Sequence, residues 1–322
     1  MATTVLKPAT ESQSLTLAGT PSYRFNNLSM NVDGLVAYVD KSHIRVENAK
    51  ERTGRLTPVA SARLVQQAKF ITIDCIEYLA VTSDIGVHLF DSTGSSLLSY
   101  FSVKDIHSMV KSNADPERSE YCCGIDGIQG TSMLVVGTSR GALATLHYDS
   151  RKKKLGLEQV TRLHRYPISS VVSSLSYIAS ADESGHVILW TATSLEEHCQ
   201  FPSMGVPCCS VEIRADYVVA AFVSGVVRIY SIAQSRLVIE VDAHARALNS
   251  MSMHPFSNAF ATCGEDGFVN VWQLPDKQNH DLQLLSSDQF ENQLLVGVTF
   301  AKENACKLAL TAYDSTVLMT RF

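Results

Sequence analysis

HARALNSMSMHPFSNAFATCGEDGFVNVWQLPD, residues 244–276, decides the fold. Its second half, FATCGEDGFVNVW (260–272), is an apolar run, a small-and-acidic turn containing glycine, and an alternating strand that ends on Trp272. That is the signature of a tight β-hairpin. A histidine, His244, stands at the head, with Thr262 ten residues and Asp266 six residues before the tryptophan. Imidazole, carboxylate and hydroxyl in one stretch admit two readings. They can be a nucleophile with its base, or a chain of buried hydrogen bonds.

Repetition of the pattern separates these readings. The same unit recurs as YLAVTSDIGVHLF (78–90), LVVGTSRGALATL (134–146), YIASADESGHVILW (177–190) and VVAAFVSGVVRIY (218–230). Weaker copies, LVAYVDKSHIRV (35–46) and LALTAYDSTVLMTRF (308–322), flank them, and successive copies end 40 to 56 residues apart. Further strand signals follow each hairpin, such as LQLLSS (282–287) and LLVGVTF (294–300). Four short strands per roughly 40–45 residues form one blade of a β-propeller. Helical periodicity is confined to IHSMVKSNADPERSEY (106–121), which overlaps an inter-blade insertion at 104–120 and accounts for the widest spacing.

The count predicts an all-β, seven-bladed propeller occupying residues 1–322 as one unit. A ring of wedges leaves wet faces unless it closes. The last copy reaches Phe322 without a fourth strand, and the alternating SLTLAG (14–19) near the other end is expected to supply it.

These blades resemble the WD-repeat β-propeller family. His244, Thr262, Asp266 and Trp272 stand at that family's offsets for a hydrogen-bond network internal to the blade. His164, Ser180 and Trp190 repeat part of it, with Ser184 where the carboxylate is expected and Asp182 or Glu183 as substitutes. Physically, each group satisfies a neighbour that would cost roughly 1–3 kcal/mol if buried unpaired. No oxyanion motif such as G-x-S-x-G accompanies the set, so no catalytic residue is expected. The blade ending at Tyr230 has Ala220 and Ser224 at the network positions, and apolar packing must hold it. The resemblance implies a protein-interaction role and no activity.

Composition agrees. A net charge of −5 argues against a nucleic-acid partner, and no apolar run is long enough for a membrane span. MATTVLKPATESQSL lacks the apolar core of a secretory leader. Eight cysteines, two pairs of them adjacent (122–123 and 208–209), show no C-x-x-C spacing, so no metal or cofactor is expected and the thiols read as small core residues. A reducing, cytoplasmic setting follows, with a cytoskeletal or ciliary assembly as the alternative.

A propeller carries function on its loops. By offset, Arg140, Arg165, Tyr166, Glu183, Arg246 and Glu265 fall on the face formed by the loops entering the inner strands and by the hairpin turns. Arginine and tyrosine are favoured anchors, which makes this face the expected site for a protein or peptide partner. The basic run 151–154 reads as a solvated outer turn. An enzyme working in the central channel would show repeated carboxylates or histidines on the inner strands, and SVEIRA (210–215), SSVVSS (169–174) and LNSMSMH (248–254) carry few.

Overall fold

The computed structural model describes residues 13–16, 19–48, 53–110, 119–276, 281–302, 307–313 and 316–321. Its strands form four-stranded antiparallel sheets. Six sheets are each drawn from one uninterrupted stretch of chain: 29–58, 65–102, 122–162, 168–201, 208–242 and 248–289, here blades 1 to 6. The remaining sheet is composite. Leu295–Phe300, Lys307–Ala312 and Thr316–Arg321 pair in order, and Gln13–Thr16 adds the outer strand, with Gln13 opposite Met319 and Thr16 opposite Thr316. The expectation of seven blades is corrected accordingly. Six blades are self-contained, and the sheet that closes the ring, for which a contribution from 14–19 was expected, is assembled from distant parts of the chain. Of the closing strand expected at 14–19, residues 17–18 lie outside the described residues.

The first strand of each of blades 1 to 6, and Leu295–Phe300 in the composite sheet, lie innermost and meet in sequence around the axis. Ser29–Met30 touches Leu295–Phe300 to complete the circle. Burial explains the sequence pattern. The middle strands are covered on both faces by neighbouring blades, so Tyr177–Asp182 and Tyr217–Phe222 are buried almost throughout and read as continuous apolar runs. Outer strands such as Arg236–Asp242 have solvent on one side and alternate.

Near the axis the wedge is narrow, and the pairing register slips at one recurring place. Shifts fall between Val65 and Gln67, Ile168 and Ser170, Cys208 and Ser210, Leu248 and Ser250, and Leu295 and Gly297. Each is an extra residue that bends the inner strand. The adjacent cysteines of blade 5 straddle one of these bulges. Cys208 packs into the core shared with blade 4, and Cys209 into the core shared with blade 6.

The helix lies earlier than its expected range of 106–121. It spans Val103–Ser108, where the Ser102 side chain accepts a hydrogen bond from the Lys104 amide and Asp105 occupies the first turn. Residues 111–118 of the expected insertion lie outside the described residues. No helix among the described residues is long and apolar enough to cross a membrane.

Candidate protein-interaction faces

The polar chain predicted for blade 6 is assembled from three elements. His244 follows the outer strand of blade 5, Thr262 lies on the second strand of blade 6, and Asp266 sits in the turn beyond it. His244 Nδ1 is 3.0 Å from Asp266 Oδ1, and Nε2 is 2.8 Å from Thr262 Oγ1. The Trp272 indole donates to the same hydroxyl at 3.1 Å. Because Thr262 accepts from the indole, its own proton goes to Nε2, and Nδ1–H donates to the carboxylate. Burial holds His244 below the ordinary histidine range against the pull of Asp266, so the ring is neutral.

Blade 4 builds the same chain with one change. Trp190 donates to Ser180 at 2.8 Å, Ser180 meets His164 Nε2 at 2.7 Å, and His164 Nδ1 lies 2.8 Å from Asp182 Oδ2. The carboxylate thus comes from the end of the strand, while Ser184, at the expected position, donates to Asp182 Oδ1 at 2.7 Å. Burial alone would raise Asp182, yet hydrogen bonds from His164 and Ser184 hold it below the usual carboxylate range. His164, Asp182 and His186 place ligand-type atoms within 4.8 Å of one another. Both nitrogens of His164 and both oxygens of Asp182 are already engaged in hydrogen bonds, and a metal would have to displace them. The set is a strut. Blade 5 lacks the polar chain, and its Tyr230 instead stacks on Phe201 with ring centroids 4.3 Å apart.

The six predicted surface residues are placed differently from one another. Arg165, Tyr166 and Glu183 come together along one groove of about 760 Å³, with Leu163, Ser184 and His186. All three are exposed. Arg140 is half-buried and tied to Glu120 at 2.7 Å, and Glu120 also meets His107 at 3.3 Å. Glu265 accepts a hydrogen bond from the Tyr23 hydroxyl. Arg246 is exposed and lines neither the Arg165 groove nor the neighbouring cavity described next.

Residues 22–27, for which the sequence suggested no such role, reach over the inner ends of several blades. The Asn26 side chain donates to the Cys209 carbonyl at 2.8 Å and accepts from the Met251 amide at 3.3 Å. Asn27 donates to the Val39 carbonyl at 3.0 Å and accepts from its amide at 2.7 Å, and the Asn27 amide reaches the Val296 carbonyl at 3.4 Å. One short segment therefore ties blades 5, 6 and 1 to the closing sheet. Phe25 is half-buried and packs against the core between blades 5 and 6. Tyr23, Arg24 and Phe25 then form one wall of a cavity whose other walls include Gln66, Gln67, Tyr121, Cys123, Ile168 and Glu183.

At the opposite end the channel holds charges that the sequence reading passed over. Lys69 Nζ is 3.1 Å from Asp126 Oδ1, and Asp126 Oδ2 accepts from the Ser173 amide at 2.8 Å. Glu212 lies beside them, driven up to about 7 by burial and by Asp126, with Lys69 and Arg214 opposing. The signal that could have found them is a charged residue in the middle of an inner strand, as in VQQAKFITI and CCSVEIR.

Comparison with known proteins follows from this geometry. The WDR54 family model matches residues 36–322. The chain belongs to the WDR54 family. It is similar to human WD repeat-containing protein 54, with 23% identity over 278 residues that cover 83% of this chain and 79% of that protein. The mouse WD repeat-containing protein 54 gives 22% identity over 265 residues, 79% of this chain and 77% of that one. Mouse WD repeat-containing protein 90 matches at 27% over 152 residues, 44% of this chain but 8% of its own length. A chain from a crystal structure of the mitotic checkpoint complex superposes with a TM-score of 0.77 at 14% identity, covering 100% of this chain and 95% of that one. That likeness speaks for the fold alone. WDR54 relatives are WD-repeat propellers, a family whose general role is protein interaction and which is generally non-enzymatic.

Proposed function

We propose that the chain is a non-catalytic scaffold that holds a protein or peptide partner on the face formed by its hairpin turns and inter-blade connections. One observation carries the reading: Arg165, Tyr166 and Glu183 stand exposed around a single groove, on connections braced from below by the His164–Asp182–Ser180 strut. Exposed arginine and tyrosine on a rigid base supply contact area with little ordering cost. The groups that would suggest chemistry, His244 with Asp266 and Lys69 with Asp126, are already engaged with each other. A reducing, cytoplasmic complex is the proposed setting, supported by seven free cysteines among the described residues, four of them buried.

Affinity capture from native cells tests this. Wild-type chain, an Arg165→Glu/Tyr166→Ala double variant, Arg246→Glu and Glu265→Lys would be compared. The double variant is expected to lose at least one specific partner while melting like wild type. Retention of every partner by all the variants would remove this face from consideration.

A further inference from the structure

The cavity beside residues 23–25 is rich in hydrogen-bond donors. Arg24 is half-buried in its wall and has no hydrogen bond or ion pair among the described residues, although it lies close enough to Tyr121 and Cys123 to favour their ionised forms. A guanidinium carries five N–H donors in a fixed fork, and leaving them unmatched in a recess is costly. Gln67 Oε1 accepts from the Ile125 amide at 3.2 Å, which leaves its NH2 group to donate. Gln66 lines the same space.

Glu183 also lines the cavity, and the hydroxyl groups around it are engaged. Tyr121 donates to Glu183 Oε1 at 3.3 Å, and Tyr23 donates to Glu265, with Asn249 Oδ1 at 3.2 Å. Ser169 donates to the Cys208 carbonyl at 2.6 Å, and the Cys123 thiol lies 3.5 Å from the Ser169 carbonyl. Burial keeps that thiol protonated, pushing it up to about 11 against Arg24. The space measures about 390 Å³ and has the aromatic walls Tyr23, Phe25 and Tyr121.

We propose that this cavity is a binding site for a carboxylate side chain of a partner protein, an aspartate or glutamate received in the fork of Arg24 and flanked by the amides of Gln66 and Gln67. One planar cation with neutral donors matches a planar monoanion, whereas a phosphate dianion calls for more positive charge than Arg24 alone supplies. Glu183, which lines the same cavity, repels any anion, and a dianion more strongly than a monoanion. Asn26, the second neighbour of Arg24 along the chain, is tied to Cys209 and Met251, so the fork is presented on a braced segment. The assignment rests on the reading of this face as the interaction face and names the chemistry that it recognises.

Fluorescence anisotropy with the full chain tests the site. The probes are acetylated, fluorescein-labelled pentapeptides of one sequence whose central residue is Glu, Asp, Gln, Lys or phosphoserine. Glu and Asp peptides are expected to bind at least tenfold tighter than the Gln and Lys peptides. Arg24→Gln should abolish the difference, and Arg24→Lys should restore only part of it, because a point charge lacks the fork. Gln67→Glu keeps the acceptor for Ile125 and puts a like charge in the cavity, so it should weaken the acidic peptides at least tenfold with an unchanged melt. Equal binding of Glu and Gln peptides, a preference that survives Arg24→Gln, phosphoserine tenfold tighter than Glu, or binding by no peptide would each overturn the assignment. If it fell while the Arg165→Glu/Tyr166→Ala variant still lost partners, the scaffold would stand and this cavity would not be its site.

Discussion

Thr262 illustrates how one hydroxyl sets the stability of a blade. It is fully buried, accepts from Trp272 and donates to His244. Thr262→Val keeps the shape and orphans both partners, at a cost of roughly 1–3 kcal/mol. Chemical denaturation should show this loss, and Thr262→Ser should recover most of it; a silent Thr262→Val would mean that the network is ornamental. Glu212 makes a second case. Its carboxyl rises from the ordinary 4.5 to about 7, by burial first, with Asp126 adding to the rise and Lys69 and Arg214 opposing it. The folded chain thus holds a proton that the unfolded chain releases. The stability tied to that proton is present below the unfolded value and is lost as pH climbs through the folded one. Glu212→Gln should therefore match wild type more closely at pH 5 and exceed its melting temperature at pH 8. Parallel melting curves for the two proteins across that range would contradict the shift.

At the scale of the element, the hairpin turn explains why glycine recurs in the repeat. Gly225 has φ +90°, and a Cβ there would lie 2.1 Å from the His244 carbonyl oxygen. Gly141 repeats the arrangement, with φ +73° and the His164 carbonyl at 2.2 Å. Each turn is pressed against the connection that carries the head histidine, so turn and strut are positioned together. Gly225→Ala should cost roughly 1–3 kcal/mol through backbone strain and displacement of His244. A differential scan would register it, and an unshifted transition would show that the connection yields freely. The short helix is a further lesson at this scale. Its range was misjudged because Ser102, which caps it, sits at the end of the strand Leu97–Ser102 and carries no helical periodicity.

For the whole molecule, stability depends on ring closure. Removing residues 1–18 takes away the outer strand of the closing sheet and leaves Thr316–Arg321 as a bare edge. The truncated chain should melt about 5 °C or more below full length, and less cooperatively. Equal melting of the two would mean that the sheet is held without that strand. Residues 22–27 add a second lock that the ring alone would not require. Asn26 and Asn27 bond to main chain in blades 5, 6 and 1 and in the closing sheet, so the ring is laced from above as well as closed at its edge.

The repeating hairpin, its spacing and the offsets of His244, Thr262, Asp266 and Trp272 were legible in the sequence, because period and pairing are local properties of a chain. That Arg140, Arg165, Tyr166, Glu183, Arg246 and Glu265 lie between strands was legible for the same reason. Which of them meet was not. Arg165, Tyr166 and Glu183 share a groove, while Arg140 and Glu265 are drawn to Glu120 and Tyr23. The choice of Asp182 over Glu183, the position of Arg24 in the wall of the cavity and the meeting of Lys69, Asp126 and Glu212 were likewise beyond a linear reading. Those contacts join residues far apart in the chain, and only closure of the ring sets the distances between them.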